Sequence, residues 1–119
     1  MHELSIALSV VEMAEERARE AGAIRIDAVR LRIGALAGVA SGALRFAFDI
    51  ARRGTPLRAA RLIIEEVPAS VWCPGCRAER TLSVARLRCP ACGAPAELRG
   101  GRELELTELE VDDGAAAHR

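Results

Sequence analysis

The sequence lacks lysine and tyrosine, and it has only three aromatic residues and no net charge. All 17 basic residues are arginines, and 17 acidic residues balance them, so no strong overall field would attract nucleic acid or an anionic membrane. The three aromatics, Phe46, Phe48 and Trp72, are too few to build a surface that stacks bases or sugars. We therefore expect neither nucleic acid nor membrane as a partner.

Long apolar runs are also absent, and none approaches the roughly 20 residues that a membrane helix needs. The N-terminal residues MHELS include an acid and no basic stretch, so a secretory signal is not expected. We therefore expect a cytoplasmic protein. Its 119 residues suit one domain, or one small domain with a satellite. Because structural disulfides are rare in the cytoplasm, the four cysteines need another explanation.

Hydrophobic periodicity predicts two helices. The first covers residues 3–21, where apolar side chains recur at helical spacing and Gly22 is a plausible stop. The second is expected to start with Ser41 as its cap and to run to Arg53, before a Gly-Thr-Pro break.

Alternating apolar residues predict three strands, at 27–34, 61–67 and 103–111. The last strand changes phase, and one bulge near Thr107 would explain this. The order of elements indicates an α+β fold, with two helices on a small three-stranded mixed sheet and an inserted zinc-ribbon-like module. We divide the chain into an α+β domain (1–70 plus 102–112), a metal-binding module (71–101) and a disordered tail (113–119).

Two C-x-x-C pairs, Cys73 with Cys76 and Cys89 with Cys92, are the strongest chemical signal. Each pair can aim two thiolates at one point while backbone N–H groups donate to the sulfurs, and two pairs complete a tetrahedral zinc site. Gly75 and Gly93 suit the tight turns beside the metal. A site filled by four cysteines is closed, which predicts a structural Zn²⁺ and not a catalytic one. The alternatives are a redox pair or four free thiols.

The segment between the two cysteine pairs contributes two further expectations. Leu82, Val84 and Leu87 can form a short hairpin. Four arginines close in sequence can offset the negative charge of a zinc ion with four thiolates: Arg77, Arg80, Arg86 and Arg88.

The N-terminus is the second candidate site. The terminal amine of Met1, together with the amide nitrogen and imidazole of His2, can close fused chelate rings on one metal, an array of nitrogens that suits Ni(II) or Cu(II). The amide or carboxylate of Glu3 could complete the set. The alternative is a disordered terminus with an incidental histidine, and His118 is expected to be incidental.

Taken together, these features resemble the HypA/HybF family of nickel-insertion accessory proteins for [NiFe] hydrogenase. The resemblance covers nearly the whole chain and rests on MHELS at the N-terminus, RLRIG at 30–34, FAFD at 46–49 with Gly54-Thr55, Glu65-Glu66, and Trp72 with both C-x-x-C pairs. It implies a nickel metallochaperone and not an enzyme, with a nickel-binding α+β domain and a structural zinc module.

The resemblance also implies site residues and partners. His2 corresponds to the nickel ligand, and Met1 and Glu3 would add backbone nitrogens. The implied partners are the hydrogenase-maturation GTPase and the hydrogenase large subunit, and some members also serve urease. Asp49 matches a family carboxylate, although it could equally be a helix-surface residue. Residues 39–42 lack the acids and proline common in this loop, which would alter a partner contact made there.

Two other functions remain compatible with the sequence. A zinc-ribbon interaction module could bind protein or nucleic acid without nickel. An enzyme is less well supported, because the sequence has no Ser/His/Asp set and no phosphate-binding loop.

Overall fold

A computed structural model of the chain describes residues 2–82 and 87–112. Met1, His118 and the predicted tail at 113–119 lie outside the described residues. The elements are α1 (Glu3–Glu20), β1 (Arg25–Gly34), α2 (Ser41–Ala51), β2 (Arg61–Val67), β3 (Ser70–Cys73), β4 (Ala78–Thr81), β5 (Glu97–Gly100) and β6 (Leu104–Asp112). No helix of the described part is long and apolar enough to cross a membrane.

The first sheet has the strand order β2-β1-β6. Strand β1 pairs with β2 in parallel, and α2 supplies the crossover that a parallel pair requires. Strand β6 pairs with β1 in the antiparallel direction. The sheet is therefore mixed and three-stranded, and both helices pack against it, as the sequence predicted.

One face of this sheet forms the main core with the helices. In β1 the alternating residues Val29, Leu31 and Ile33 are at most 3% exposed, because they point toward the helices. The helical residues that meet them are small on α1 and larger on α2: Ala7, Val10, Val11, Ala14, Ala18, Leu44, Ala47 and Phe48.

The bulge expected near Thr107 is present in β6. Leu106 lies opposite Leu31 and Leu109 lies opposite Val29, so the extra residue keeps both leucines on the helix side of the sheet. The Thr107 hydroxyl donates to the Arg30 carbonyl at 3.2 Å, which gives the bulged residue a hydrogen bond of its own.

The helix boundaries correct two details of the prediction, both in α2. Helix α1 ends at Glu20, with Gly22 just beyond it at a φ of 71°, as expected for the stop. Ser41, however, is the first helical residue of α2 and not its cap. Ala40 holds the cap position and makes no side-chain cap hydrogen bond. The helix also ends at Ala51, two residues before the predicted Arg53.

The second sheet has the order β4-β3-β5, with both pairings antiparallel. Its buried core is small and consists of Ala69, Val71 and Leu82. Strands β3 and β4 pair around the first cysteine pair, and an isolated bridge joins Arg88 to Pro95 around the second.

The hairpin predicted between the cysteine pairs is only partly covered by the described residues. Val84 lies outside them. Leu82 is buried in the small core, whereas Leu87 is 54% exposed. The pairing seen in the structure encloses each cysteine pair and does not lie between the two pairs.

The two sheets meet at a tight backbone junction. The Gly34 N–H donates to the Glu103 carbonyl at 2.7 Å, and the Leu36 N–H donates to the Gly101 carbonyl. Gly34 and Gly101 pack so closely that a Cβ on Gly34 would overlap the Gly101 carbonyl group. This close approach fixes where the chain leaves and re-enters the first sheet.

Candidate functional site

Both cysteine pairs lie in turns whose backbone N–H groups point at sulfur. The Cys76 N–H donates to the Cys73 sulfur at 3.3 Å, and the Ala91 N–H donates to the Cys89 sulfur at 3.4 Å. Such donors stabilise thiolates, which are the form that binds metals. The expected donation of backbone N–H groups to sulfur is therefore confirmed in both C-x-x-C turns.

The two turns share a conformational feature that the sequence did not reveal. Gly93, directly after Cys92, has a φ of 77°, and Arg77, directly after Cys76, has a φ of 53°. The same left-handed position therefore follows each second cysteine. A glycine takes it at no steric cost, whereas an arginine takes it only under constraint from its surroundings. Gly75, which we expected to serve the first turn, has no positive φ.

The four sulfurs converge on one point. All four lie within 4.8 Å of one another. The Cys73 and Cys92 sulfurs are 3.6 Å apart, and those of Cys76 and Cys89 are 3.9 Å apart. A tetrahedron with metal–sulfur bonds of about 2.3 Å has edges of about 3.8 Å, so the donor set fits a zinc ion.

The protonation states of the cluster are uneven. The N–H groups of Cys92 and Ala91 are the main cause that lowers the pKa of Cys89 to about 6, although burial opposes it. At Cys92 the Ala94 N–H lowers the pKa, but the sulfurs of Cys73, Cys76 and Cys89 outweigh it and raise the value to about 11. A metal that binds all four sulfurs must therefore displace protons.

Three of the four arginines expected to offset the charge are described by the structure, and of these Arg80 interacts with the sulfurs. Hydrogen bonding to the sulfurs of Cys76 and Cys89 raises the pKa of Arg80 above its ordinary value. Arg88 donates to the Gly93 carbonyl at 3.1 Å, and Arg77 is exposed. Arg86 lies outside the described residues.

The N-terminal candidate residues lie at the start of α1. His2 occupies the cap position, and its carbonyl accepts the Ile6 N–H at 3.2 Å. Its side chain is exposed and makes no cap hydrogen bond. The N–H groups of a first helical turn have no carbonyl partner within the helix. Nitrogen atoms of His2 and Glu3 are thus placed together at an exposed helix end.

The Glu3 carboxylate has a structural partner that the sequence did not predict. It accepts the Ala40 N–H at 3.2 Å. This hydrogen bond is the first cause that lowers the pKa of Glu3, and the N–H of Glu3 itself also contributes. Ala40, in the stretch 39–42 where we expected any partner contact to be altered, therefore adjoins the N-terminus.

Asp49 lies away from this contact. It forms an ion pair with Arg52 at 3.1 Å, and its side chain is 64% exposed. Nine helical steps of about 1.5 Å place it roughly 13 Å along α2 from Ala40. Among the described residues, its partner is the residue at the C-terminal cap of the same helix, which favours the helix-surface interpretation.

Comparison with known proteins agrees with these features. The family described as "Hydrogenase/urease nickel incorporation, metallochaperone, hypA" matches residues 1–111. This chain belongs to the HypA family. Two relatives, both called hydrogenase maturation factor HypA, come from Chloroflexus aurantiacus and a Roseiflexus species. The first is 61% identical over 113 residues, covering 93% of this chain and 99% of the relative. The second is 51% identical over 115 residues, covering 95% and 94%.

Solved structures share the fold. The solution structure of the Ni metallochaperone HypA from Helicobacter pylori has a TM-score of 0.67 at 24% identity, and the match covers 94% of this chain and 98% of that one. Another HypA solution structure has a TM-score of 0.69 at 24% identity, with coverage of 95% and 98%. The α+β fold with its cysteine module is thus the fold of the HypA family.

Proposed function

We propose that this chain is a nickel metallochaperone that binds Ni(II) at its N-terminus and helps to deliver it to the [NiFe] hydrogenase large subunit during maturation. In this proposal Cys73, Cys76, Cys89 and Cys92 hold a structural zinc ion. Membership of a family described by hydrogenase and urease nickel incorporation supports the cargo and the role.

The observation that carries the proposal is the contrast between the two sites. A zinc ion within four converging sulfurs has no open position, so the site suits an ion that stays. His2, in contrast, is exposed at a helix end. A carrier must release its ion to another protein, and an open terminal site made of nitrogen donors suits that exchange.

His2 contributes its imidazole and its backbone nitrogen to the proposed nickel site. Met1 contributes the terminal amine and Glu3 a backbone nitrogen. The engagement of the Glu3 carboxylate with Ala40 supports a backbone role for Glu3, because that carboxylate already accepts a hydrogen bond. Asp49 has no part in this set.

The proposed partners follow from the family. They are the hydrogenase-maturation GTPase and the hydrogenase large subunit, with urease maturation proteins as further candidates. We propose a cytoplasmic protein that acts by binding and transfer and not by catalysis. The alternative, a zinc-ribbon interaction module that binds protein or nucleic acid, would not need nickel.

Nickel titration of N-terminal variants tests the proposal. Adding Gly-Ser before Met1 converts the terminal amine into an amide, and His2→Ala removes the imidazole. Both changes should weaken nickel binding at least about tenfold, since each removes a donor from one chelate. Neither should change zinc content or helical content. Isothermal titration of untagged protein, with metal analysis, measures both.

The controls separate the competing readings. His118→Ala removes the chain's other histidine and should leave nickel affinity unchanged. A module with an incidental N-terminus would be indifferent to all three changes, and that result would reject the nickel proposal. If the extended protein still binds nickel but His2→Ala does not, only the proposed role of the terminal amine is rejected.

A further inference from the structure

Arg80 lies on the same side of the second sheet as the metal-binding sulfurs. In the β3–β4 pair, Arg80 is opposite Val71 and Ala78 is opposite Cys73. Side chains of directly opposed residues share a face, and so do those two positions apart on one strand. Val71 and Cys73 are both 0% exposed, so Arg80 projects from β4 onto the buried side of the module.

One hydrogen-bond donor of the Arg80 guanidinium lacks a protein partner. Its Nε atom is buried and has no hydrogen-bond partner among the described residues. A buried donor without a partner is costly, so its surroundings should offer an acceptor. The acceptors on this buried side of the module are the clustered sulfurs, with Cys73 on the same face as Arg80. Interaction with the sulfurs of Cys76 and Cys89, one from each cysteine pair, also raises the pKa of Arg80, which agrees with this placement.

The other described arginines of the module are placed differently, because Arg77 is exposed and Arg88 and Arg99 have other partners. The Arg88 guanidinium donates to the Gly93 carbonyl. Arg99 lies over the Trp72 ring, 5.7 Å from its centre, and pairs with Glu97 at 3.5 Å. Arg80 is therefore the described arginine placed to meet the charge of the sulfurs directly.

We infer that Arg80 is an outer-shell residue of the metal centre, whose guanidinium donates N–H groups to the Cys76 and Cys89 sulfurs and ties the two cysteine pairs together around the ion. A divalent zinc ion with four thiolates is doubly negative, and a buried charge of this kind is costly without compensation. The planar guanidinium supplies one positive charge and several donors in a fixed fork, so it can serve two sulfurs at once.

This inference rests on the proposed zinc site and adds to it a residue that supports the sulfur ligands. Outer-shell partners of metal ligands typically contribute about 10–100-fold to metal affinity. Arg80 should therefore slow the loss of zinc, although it does not touch the ion. It is a positioning residue, because it acts through the sulfurs.

Three variants of the full-length protein test the inference. Arg80→Met removes the charge and the donors, Arg80→Lys keeps a charge without the fork, and Arg99→Met makes the same charge change away from the sulfurs. Competition with a chromophoric chelator measures zinc affinity and release. We expect about 10–100-fold weaker zinc in Arg80→Met, an intermediate loss in Arg80→Lys, and less than a twofold change in Arg99→Met.

Cobalt(II) substitution gives a readout that a purely structural role would not change. Hydrogen bonds to a thiolate lower the energy of its lone pairs, so losing them should move the sulfur-to-cobalt charge-transfer band to longer wavelength. The tetrahedral d–d bands should persist. If Arg80→Met proves too unstable to load, Arg80→Lys carries the comparison.

Parent-like zinc affinity in Arg80→Met, or a parent-like charge-transfer band in both Arg80 variants, would overturn the inference. Failure of the parent to take up one zinc per chain is a different result, because it would overturn the proposed zinc site itself. Metal analysis of the parent, made before the variants are compared, distinguishes these two failures.

Discussion

Single residues at close backbone contacts determine how the two sheets are joined. Gly34 ends β1 at the point where the chain returns from the second sheet, and the Gly101 carbonyl group occupies the space that a side chain would need. Gly42, in the first turn of α2, has no heavy atom within 4 Å of an added Cβ. Gly34 must therefore lack a side chain, whereas the space around Gly42 would admit one.

Gly34→Ala should destabilise the protein by more than about 2 kcal/mol, because the added methyl group must displace backbone atoms. Gly42→Ala is the matched control and should stabilise by about 0.5–1 kcal/mol, since alanine favours the helix. Urea unfolding of both variants with zinc present measures the difference. Equal stability of the two variants would contradict the close contact at the junction.

The sequence predicted residues whose chemistry is local and missed those that depend on pairing. The four cysteines were recognised from their spacing alone, whereas His2 was singled out by its position together with the family resemblance, and its role stays a prediction. The orientation of Arg80 depends on the register of β3 with β4, and the Glu3–Ala40 hydrogen bond joins residues 37 positions apart. Ser41 was mistaken for a cap because Ser at a helix start usually serves that role, whereas here the cap position is Ala40.

At the scale of elements, the two sheets differ in what holds them together. The long elements of the first sheet were predictable because each carries a periodic apolar pattern, and even the phase change at Thr107 indicated its bulge. Strands β3, β4 and β5 have four residues each and no clear alternation, so the sequence did not reveal them. Their shared core of Ala69, Val71 and Leu82 is small, so in our proposal the zinc ion is the main source of order.

Cys73→Ser or Cys92→Ser should therefore lose zinc and unfold residues 70–100 while the first sheet and its helices persist. Zinc–thiolate binding contributes roughly 10–16 kcal/mol to folding in small zinc-binding peptides, and the module has little else to replace it. Limited trypsin digestion should cut first at the module's arginines, which are Arg77, Arg80, Arg86, Arg88 and Arg99.

Chelator-treated parent protein should show the same cleavage pattern, and adding zinc back should restore resistance in the parent only. A serine variant that keeps full zinc and full protection would contradict the assignment of all four cysteines to one metal site. Loss of the first sheet as well would contradict its independence from the module.

At the scale of the whole molecule, residues 34–40 connect the two proposed metal sites. Leu36 packs on the small core of the second sheet, while Ala37 and Val39 pack on the main core. Ala40 then donates its N–H to Glu3 at the N-terminus. The proposed nickel site and the proposed zinc site thus lie on one continuous framework, yet their proposed ligands differ in chemistry.

This difference predicts that mild acid separates the two metals. Nickel should be lost between about pH 7 and pH 5.5, because an imidazole coordinates a metal only when it is neutral. The amine and amide nitrogens must also lose protons to bind, so the loss should be steeper than a one-proton titration. Zinc should remain through this range, since four converging thiolates hold it in a closed site.

Equilibrium dialysis of the doubly loaded protein, followed by metal analysis at each pH, measures both ions in one sample. His2→Ala provides the control, because its weak nickel binding should no longer vary steeply with pH. Nickel affinity that is unchanged at pH 5.5 would exclude His2 as a ligand, whereas simultaneous loss of both metals would indicate that acid acts on the shared framework and not on the nickel donors.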